Sequence, residues 1–180
     1  MNIRVISGEY GGRKIEAPDN DRTHPMGERI RNALFNTIGA DIKGAAILDA
    51  FAGTGAIGLE ALSRGAKEAT FIEKDRVAQN ILTKNITSLG LEERSVVVRT
   101  TVYNWLSTAR PSQFDFIFAD PPYHDPQLST ATQLFDLLLP NGLMVLSHPG
   151  KGEAPTRFGF VVVDNRSYGN AVLTFYRRNA

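Results

Sequence analysis

From residue 46 onward, runs with strand-like alternation take turns with runs of helical spacing, and that order constrains the fold more than any other feature. Strand-like runs fall at 46–51, 69–73, 95–99, 114–119 and 143–146, with helix-like runs at 53–63, 75–89, 103–109 and 128–139. Strands joined through helices form right-handed βαβ units, which implies a mostly parallel sheet covered on both faces. Two closing strands, 158–163 and 171–176, have turn signals between them at 164–166 and 168–170 and no helix. They are expected to pair antiparallel. The expected fold class is α/β, a doubly wound sandwich.

Before this unit, residues 2–16 read as a β-hairpin around a glycine-containing turn, and 18–25 as a polar connector. A helix follows with Ile30, Leu34 and Ile38 on one face and Gly39 as its stop. The organisation is therefore an N-terminal hairpin extension over 1–24 and one domain over 25–180, which 180 residues suit. Cysteine is absent, which excludes disulfides and thiolate metal sites. His24, His124 and His148 lie far apart, so no metal site is expected. Neither a signal peptide nor an apolar run of about 20 residues is present, and a cytoplasmic location is expected.

A net charge of +1 does not announce a nucleic-acid partner. Arginines do recur near the N-terminus, at Arg4, Arg13, Arg22, Arg29 and Arg31, but Glu9, Glu16, Asp19, Asp21 and Glu28 nearly balance them. A solvated mixed-charge surface and a phosphate-binding face both fit.

The first strand of the α/β unit runs into Asp49-Ala-Phe51-Ala-Gly53-Thr54-Gly55-Ala-Ile-Gly58. Gly53 and Gly55 permit a tight turn in which backbone amides approach a ligand, and Gly58 permits close helix–strand packing. Glu73 follows Gly53 by twenty positions, where a carboxylate can accept hydrogen bonds from ribose hydroxyls. A nicotinamide-dependent oxidoreductase shares such a loop. Asp49, however, would repel a pyrophosphate and suits a ligand with an amino group. S-adenosylmethionine carries an ammonium, a sulfonium and a ribose, and no phosphate, which makes it the expected cofactor.

The fourth strand leads into Asp120-Pro121-Pro122-Tyr123. Ligands bind outside the carboxyl ends of such strands, so this loop faces the crevice of the glycine loop. An exocyclic base amine is a poor nucleophile because its lone pair is delocalised into the ring. The Asp120 carboxylate and the Pro121 carbonyl can accept its two N–H groups and localise that lone pair. Tandem prolines hold the loop extended, and Tyr123 offers a stacking face. His124 is read as a solvated loop residue, and Trp105 and Phe135 as core anchors.

Together these motifs resemble class I methyltransferases of the amino-methylating type. The runs Arg4-Val-Ile-Ser-Gly, Gly12-Arg13 and Arg29-Ile-Arg31-Asn-Ala-Leu-Phe-Asn, with Tyr168-Gly169, narrow the resemblance to the RsmD family of small-subunit ribosomal RNA guanine-N2 methyltransferases. The resemblance implies a Rossmann-like, seven-stranded class I fold with a reversed last strand, and as target a guanine in 16S ribosomal RNA on an assembling small subunit. It implies cofactor contacts from Asp49, Phe51, Gly53, Thr54, Gly55, Glu73, Lys74, Thr101, Val102 and Asp120, RNA contacts from Arg4, Arg13, His24, Arg29 and Arg31, and a monomer. Two positions depart from the family pattern. His24-Pro25-Met26 stands where relatives have Arg-Pro-Thr, and Thr101 where they place a polar Asn, Asp or Glu near the adenine. An amino methyltransferase acting on adenine in DNA or on another RNA remains open.

Overall fold

The computed structural model describes residues 2–19, 25–150, 154–169 and 171–180. Strands β1 (Asn2–Arg4) and β2 (Lys14–Glu16) form an antiparallel hairpin, and helix α1 (Glu28–Ile38) follows. The α/β unit then runs β3 (Ala46–Asp49), α2 (Ala56–Ser63), β4 (Glu68–Ile72), α3 (Arg76–Ser88), β5 (Ser95–Val98), α4 (Val102–Leu106), β6 (Phe114–Ala119), α5 (Leu128–Gln133), β7 (Leu138–His148), β8 (Phe160–Tyr168) and β9 (Ala171–Arg178). The seven strands lie in the order β5-β4-β3-β6-β7-β9-β8, and β9 alone runs antiparallel to its neighbours. Strand order reverses between β3 and β6, which opens a crevice at their carboxyl ends.

Alternation along each strand builds two cores. Ile47, Phe71, Phe116, Phe118, Val145 and Phe175 pack on one face with Leu34, Leu59 and Leu82 from α1, α2 and α3. Their neighbours Leu48, Ile72, Ile117, Leu146 and Tyr176 pack on the other face with Val102, Leu134 and Phe135. Phe135 stands 4.9 Å from Tyr176, and Trp105 6.4 Å from Phe114, so both aromatics serve the core.

The structure departs from sequence expectation at the distal end of the chain. Helix α5 stops at Gln133, a 3-10 turn carries the chain to Leu137, and Leu138 already pairs with Phe114. An apolar run of this length does not distinguish a helix from a buried strand. Residues 139–142 then form a wide bulge, holding Pro140 and Asn141 at φ 65. The turn expected at 164–166 is absent. Strand β8 passes through it with a bulge between Val162 and Asp164, and the Asp164 carboxylate bonds Asn165 and Arg166 locally.

The hairpin is seated on α2 by polar groups. Glu60, fully buried, accepts the N–H groups of Ile6 at 2.8 Å and Ser7 at 3.1 Å, and pairs with Arg64 at 2.9 Å and Arg31 at 3.5 Å. Ser63 accepts from the Tyr10 N–H and donates to the Ser7 carbonyl. Val5 and Ile15 complete the seat within the core shared by α1, α2 and α3. Removing one partner of a buried charge network strands the others, so Glu60→Ala is predicted to cost about 3–5 kcal/mol in a denaturant melt. Amide exchange at Ile6 and Ser7 should rise with it. Unchanged exchange would mean that the apolar contacts alone hold the hairpin.

Candidate active site

The site begins where β3 ends. Asp49 is its last residue, and Gly53 and Gly55 turn the chain at φ 56 and 92 into α2. A Cβ on Gly55 would lie 2.5 Å from Leu82, and one on Gly58 2.3 Å from the Phe71 ring, so both approaches need glycine. No local side chain caps α2. Asp49 takes that part from the strand, its Oδ2 accepting the Gly58 N–H at 2.9 Å. Its Oδ1 is buried without a hydrogen-bond partner, as is the Thr54 hydroxyl. Burial pushes the Asp49 carboxyl up to about 7; the Gly58 N–H acts against this, and Asp120 and Glu73 add repulsion.

Glu73 follows β4 and accepts the Gly53 N–H at 2.7 Å and the Asp75 N–H at 2.8 Å, one on each carboxylate oxygen. A carboxylate has about four acceptor positions, so two remain for hydroxyl donors. Gln79 steadies this turn by donating to the Glu73 carbonyl at 2.7 Å. Beyond β5, Thr101 caps α4 by accepting the Asn104 N–H at 3.0 Å, which commits its hydroxyl locally.

Across the sheet reversal, Asp120 follows β6. Burial pushes its carboxyl up to about 6, and a hydrogen bond with the Ser147 hydroxyl works the other way. Tyr123 is 46% exposed, with its hydroxyl 3.5 Å from Ser147 Oγ. Glycine loop, Glu73 turn and Asp-Pro-Pro-Tyr loop open onto one cleft of about 970 Å³. Phe51, Gly53, Thr54, Glu73, Lys74, Thr101, Val102, Asp120, Pro121 and Tyr123 all line it.

Other expected residues stand elsewhere. Asp49 lies beneath the loop rather than on the cleft wall, and Gly55 is buried at the start of α2. Arg31 is no RNA contact. It is 1% exposed, bonds the carbonyls of Met26 and Arg4, and faces Glu60, because it shares the apolar face of α1 with Leu34, Phe35 and Ile38. Arg4 is exposed and pairs with Glu28, Arg13 is exposed and donates to the Ser88 carbonyl, and Arg29 is exposed with no ion pair among the described residues. His24 lies outside the described residues. The sequence reading missed Ser147, a lone serine near the end of β7. It also missed Met26 and Ile30, which wall the cleft from the α1 side.

What the cleft can hold follows from its charges. Glu73, Asp75 and Asp120 line it against the one ammonium of Lys74, a balance that repels phosphate and favours a cation. No metal-holding cluster exists among the described residues. The acceptor positions left on Glu73 and the acidic wall fit S-adenosylmethionine. The Conserved hypothetical protein 95 family matches residues 3–177. The chain belongs to this family, the RsmD family of methyltransferases. Within it, the ribosomal RNA small subunit methyltransferases D of Escherichia coli and Haemophilus influenzae are similar. The first is 38% identical over 134 residues, covering 74% of this chain and 67% of that one. The second is 36% identical over 141 residues, covering 77% and 72%. The solved structure of Escherichia coli yhhF superposes with a TM-score of 0.90 at 33% identity, covering 100% of this chain and 99% of that one. The seven-stranded fold with its reversed last strand is thus that of RsmD-family relatives.

A carboxyl raised in the folded state stabilises the fold while protonated and loses that contribution as pH climbs through its folded value. Asp49→Asn carries no such charge. Its melting temperature relative to the parent is predicted to rise between pH 5 and pH 8, by about 4 °C or more. A constant difference would show that the Asp49 charge is already compensated.

Proposed function

We propose that this chain transfers a methyl group from S-adenosylmethionine to the exocyclic N2 amine of a guanine in small-subunit ribosomal RNA. One observation carries the reading. The Asp120-Pro121-Pro122-Tyr123 loop, with the chemistry to align an aromatic amine, opens onto the same cleft as an acid-flanked glycine loop. Membership of the RsmD family, and its Escherichia coli and Haemophilus influenzae relatives that are ribosomal RNA small subunit methyltransferases, support the substrate class.

Bound in the cleft, S-adenosylmethionine supplies an electrophilic methyl carbon on a positively charged sulfur. Glu73 would accept hydrogen bonds from its ribose hydroxyls, and Lys74, Thr101 and Val102 would hold its adenine. Phe51, Gly53 and Thr54 would hold its amino-acid end, above the buried Asp49 and the Gly55 turn. On the target side Tyr123 stacks on the base, contributing about 1–3 kcal/mol. The Asp120 carboxylate and the Pro121 carbonyl accept the two N–H groups of N2 and turn its lone pair toward the methyl carbon. Forming the N–C bond would break the S–C bond and leave N2 acidic. Asp120 can take up the proton that N2 sheds. Positioning and electrostatics therefore supply most of the rate.

Arg4, Arg13, His24 and Arg29 are assigned to phosphates of the RNA, with residues 1–24 as the RNA-reaching extension and 25–180 as the catalytic domain. Action as a monomer belongs to the same reading. The assembling small subunit in the cytoplasm is the matching setting, and no helix among the described residues is long and apolar enough to cross a membrane.

Small ribosomal subunits lacking the modification, incubated with labelled S-adenosylmethionine, should yield N2-methylguanosine on nucleoside analysis. Label in N6-methyladenosine, or transfer to DNA alone, would replace the substrate while keeping the cleft chemistry. Asp120 can accept its N–H group only as the carboxylate, so kcat/KM is predicted to fall about tenfold from its plateau by pH 5, with a midpoint near 6. A profile flat to pH 5 would remove Asp120 from that role.

A further inference from the structure

Asn85, on the buried face of α3, spends both of its donors and one acceptor position within a few ångströms of the cleft. One Nδ2 proton goes to the Glu16 carbonyl at 2.9 Å and the other to the Thr54 carbonyl at 2.9 Å. Its Oδ1 accepts the Glu16 N–H at 2.8 Å. The carboxamide thus takes the place a neighbouring strand would have beside β2, and with its remaining donor it reaches the glycine loop. Asn85 is 2% exposed, so no solvent competes for these bonds.

Thr54 is the residue such a contact would control. It stands between Gly53 and Gly55, whose φ values of 56 and 92 leave the loop backbone with little steric constraint of its own. Glu73 fixes one side of the turn through the Gly53 N–H, and Asn85 fixes the next carbonyl. Without a donor that carbonyl would be buried and unpaired, and the 54–55 peptide would turn to find water. Such a turn re-aims the backbone that lines the cleft.

We propose that Asn85 is the positioning residue of the cofactor loop and the joint through which occupancy of that loop reaches the hairpin. The inference rests on the methyltransferase reading of the cleft. It adds a direction of coupling: β2 braces the loop, and by reciprocity a filled loop braces β2. Hairpin and cofactor loop then form one polar unit, although they are remote in sequence. Glu60 and Ser63 continue to hold the hairpin when Asn85 is changed, so variants at this position are expected to fold.

S-adenosylhomocysteine is the probe. Asn85→Asp keeps the size and the acceptor for the Glu16 N–H but offers at most one proton to the two carbonyls, and Asn85→Ala removes all three bonds. Both are predicted to raise the dissociation constant for S-adenosylhomocysteine at least tenfold by calorimetry. The KM for S-adenosylmethionine should rise in parallel, with kcat at saturating cofactor within about threefold of the parent. A residue that only stabilises the fold would lower the melting temperature and leave both constants at parental values, which would overturn the proposal. The parent chain gives a second reading without any substitution. Added S-adenosylhomocysteine should slow amide exchange at Glu16 at least fivefold, and unchanged exchange would overturn the coupling even if the variants fail to fold. A parent that does not bind S-adenosylhomocysteine at all would overturn the methyltransferase reading and this inference with it.

Discussion

The hydrogen bond from the Gly58 N–H to the Asp49 carboxylate sets the frame on which the rest of the site hangs. It ties the first turn of α2 to the end of β3 across the glycine loop, with no local cap doing that work. The loop between them is then short, left-handed at both glycines and open toward the cleft. The cost is a carboxylate buried with one oxygen unpartnered. A buried acid without a full complement of donors is unfavourable unless something cationic or a donor is delivered to it. Burial on these terms is what lifts the Asp49 carboxyl to about 7.

From this frame outward the structure repeats one device, in which a polar side chain caps backbone groups belonging to a different element. Glu73 holds the Gly53 N–H, Asn85 holds Thr54 and Glu16, Glu60 holds Ile6 and Ser7, and Arg31 holds Met26 and Arg4. Parallel strands give each layer its own order, yet they do not by themselves fix how a hairpin sits on a helix. Asn85, Glu60 and Arg31 do so, and each would be costly to remove because it leaves buried groups unpaired. Cleft, glycine loop and hairpin are consequently one mechanical piece.

Much of this was legible in the sequence. Alternation in β3, β4, β6 and β7, the Asp49-to-Gly58 run and the position of Glu73 fixed the sheet and its crevice in advance, because period and spacing are local properties. Asp120-Pro-Pro-Tyr fell in the crevice because every βα loop of such a sheet opens at the same end. Arg31 was misread for want of one comparison: it lies three and four positions before Leu34 and Phe35, on the apolar stripe rather than the solvent face. Glu60 carried a similar signal, a lone acid inside the apolar run of α2. Asn85 and Ser147 carried none, since their partners are set by tertiary contacts across 31 to 69 positions for Asn85 and 24 for Ser147. The β8 bulge was equally hidden, because Asp164-Asn165-Arg166 has turn composition and only pairing with β9 makes it strand.

The central claim is that one cleft holds two chemically separate halves, a cofactor half at Glu73 and a target-amine half at Asp120. The most direct test separates them in a single pair of variants, by S-adenosylhomocysteine titration and by methyl-transfer rate on small ribosomal subunits. Glu73→Ala is predicted to weaken S-adenosylhomocysteine binding by at least about tenfold, the scale of losing charged hydrogen bonds. Asp120→Ala should leave that binding within about twofold and lower kcat on the order of 10²-fold or more. Equal loss of binding in both variants, or parental turnover in Asp120→Ala, would contradict the division of the cleft.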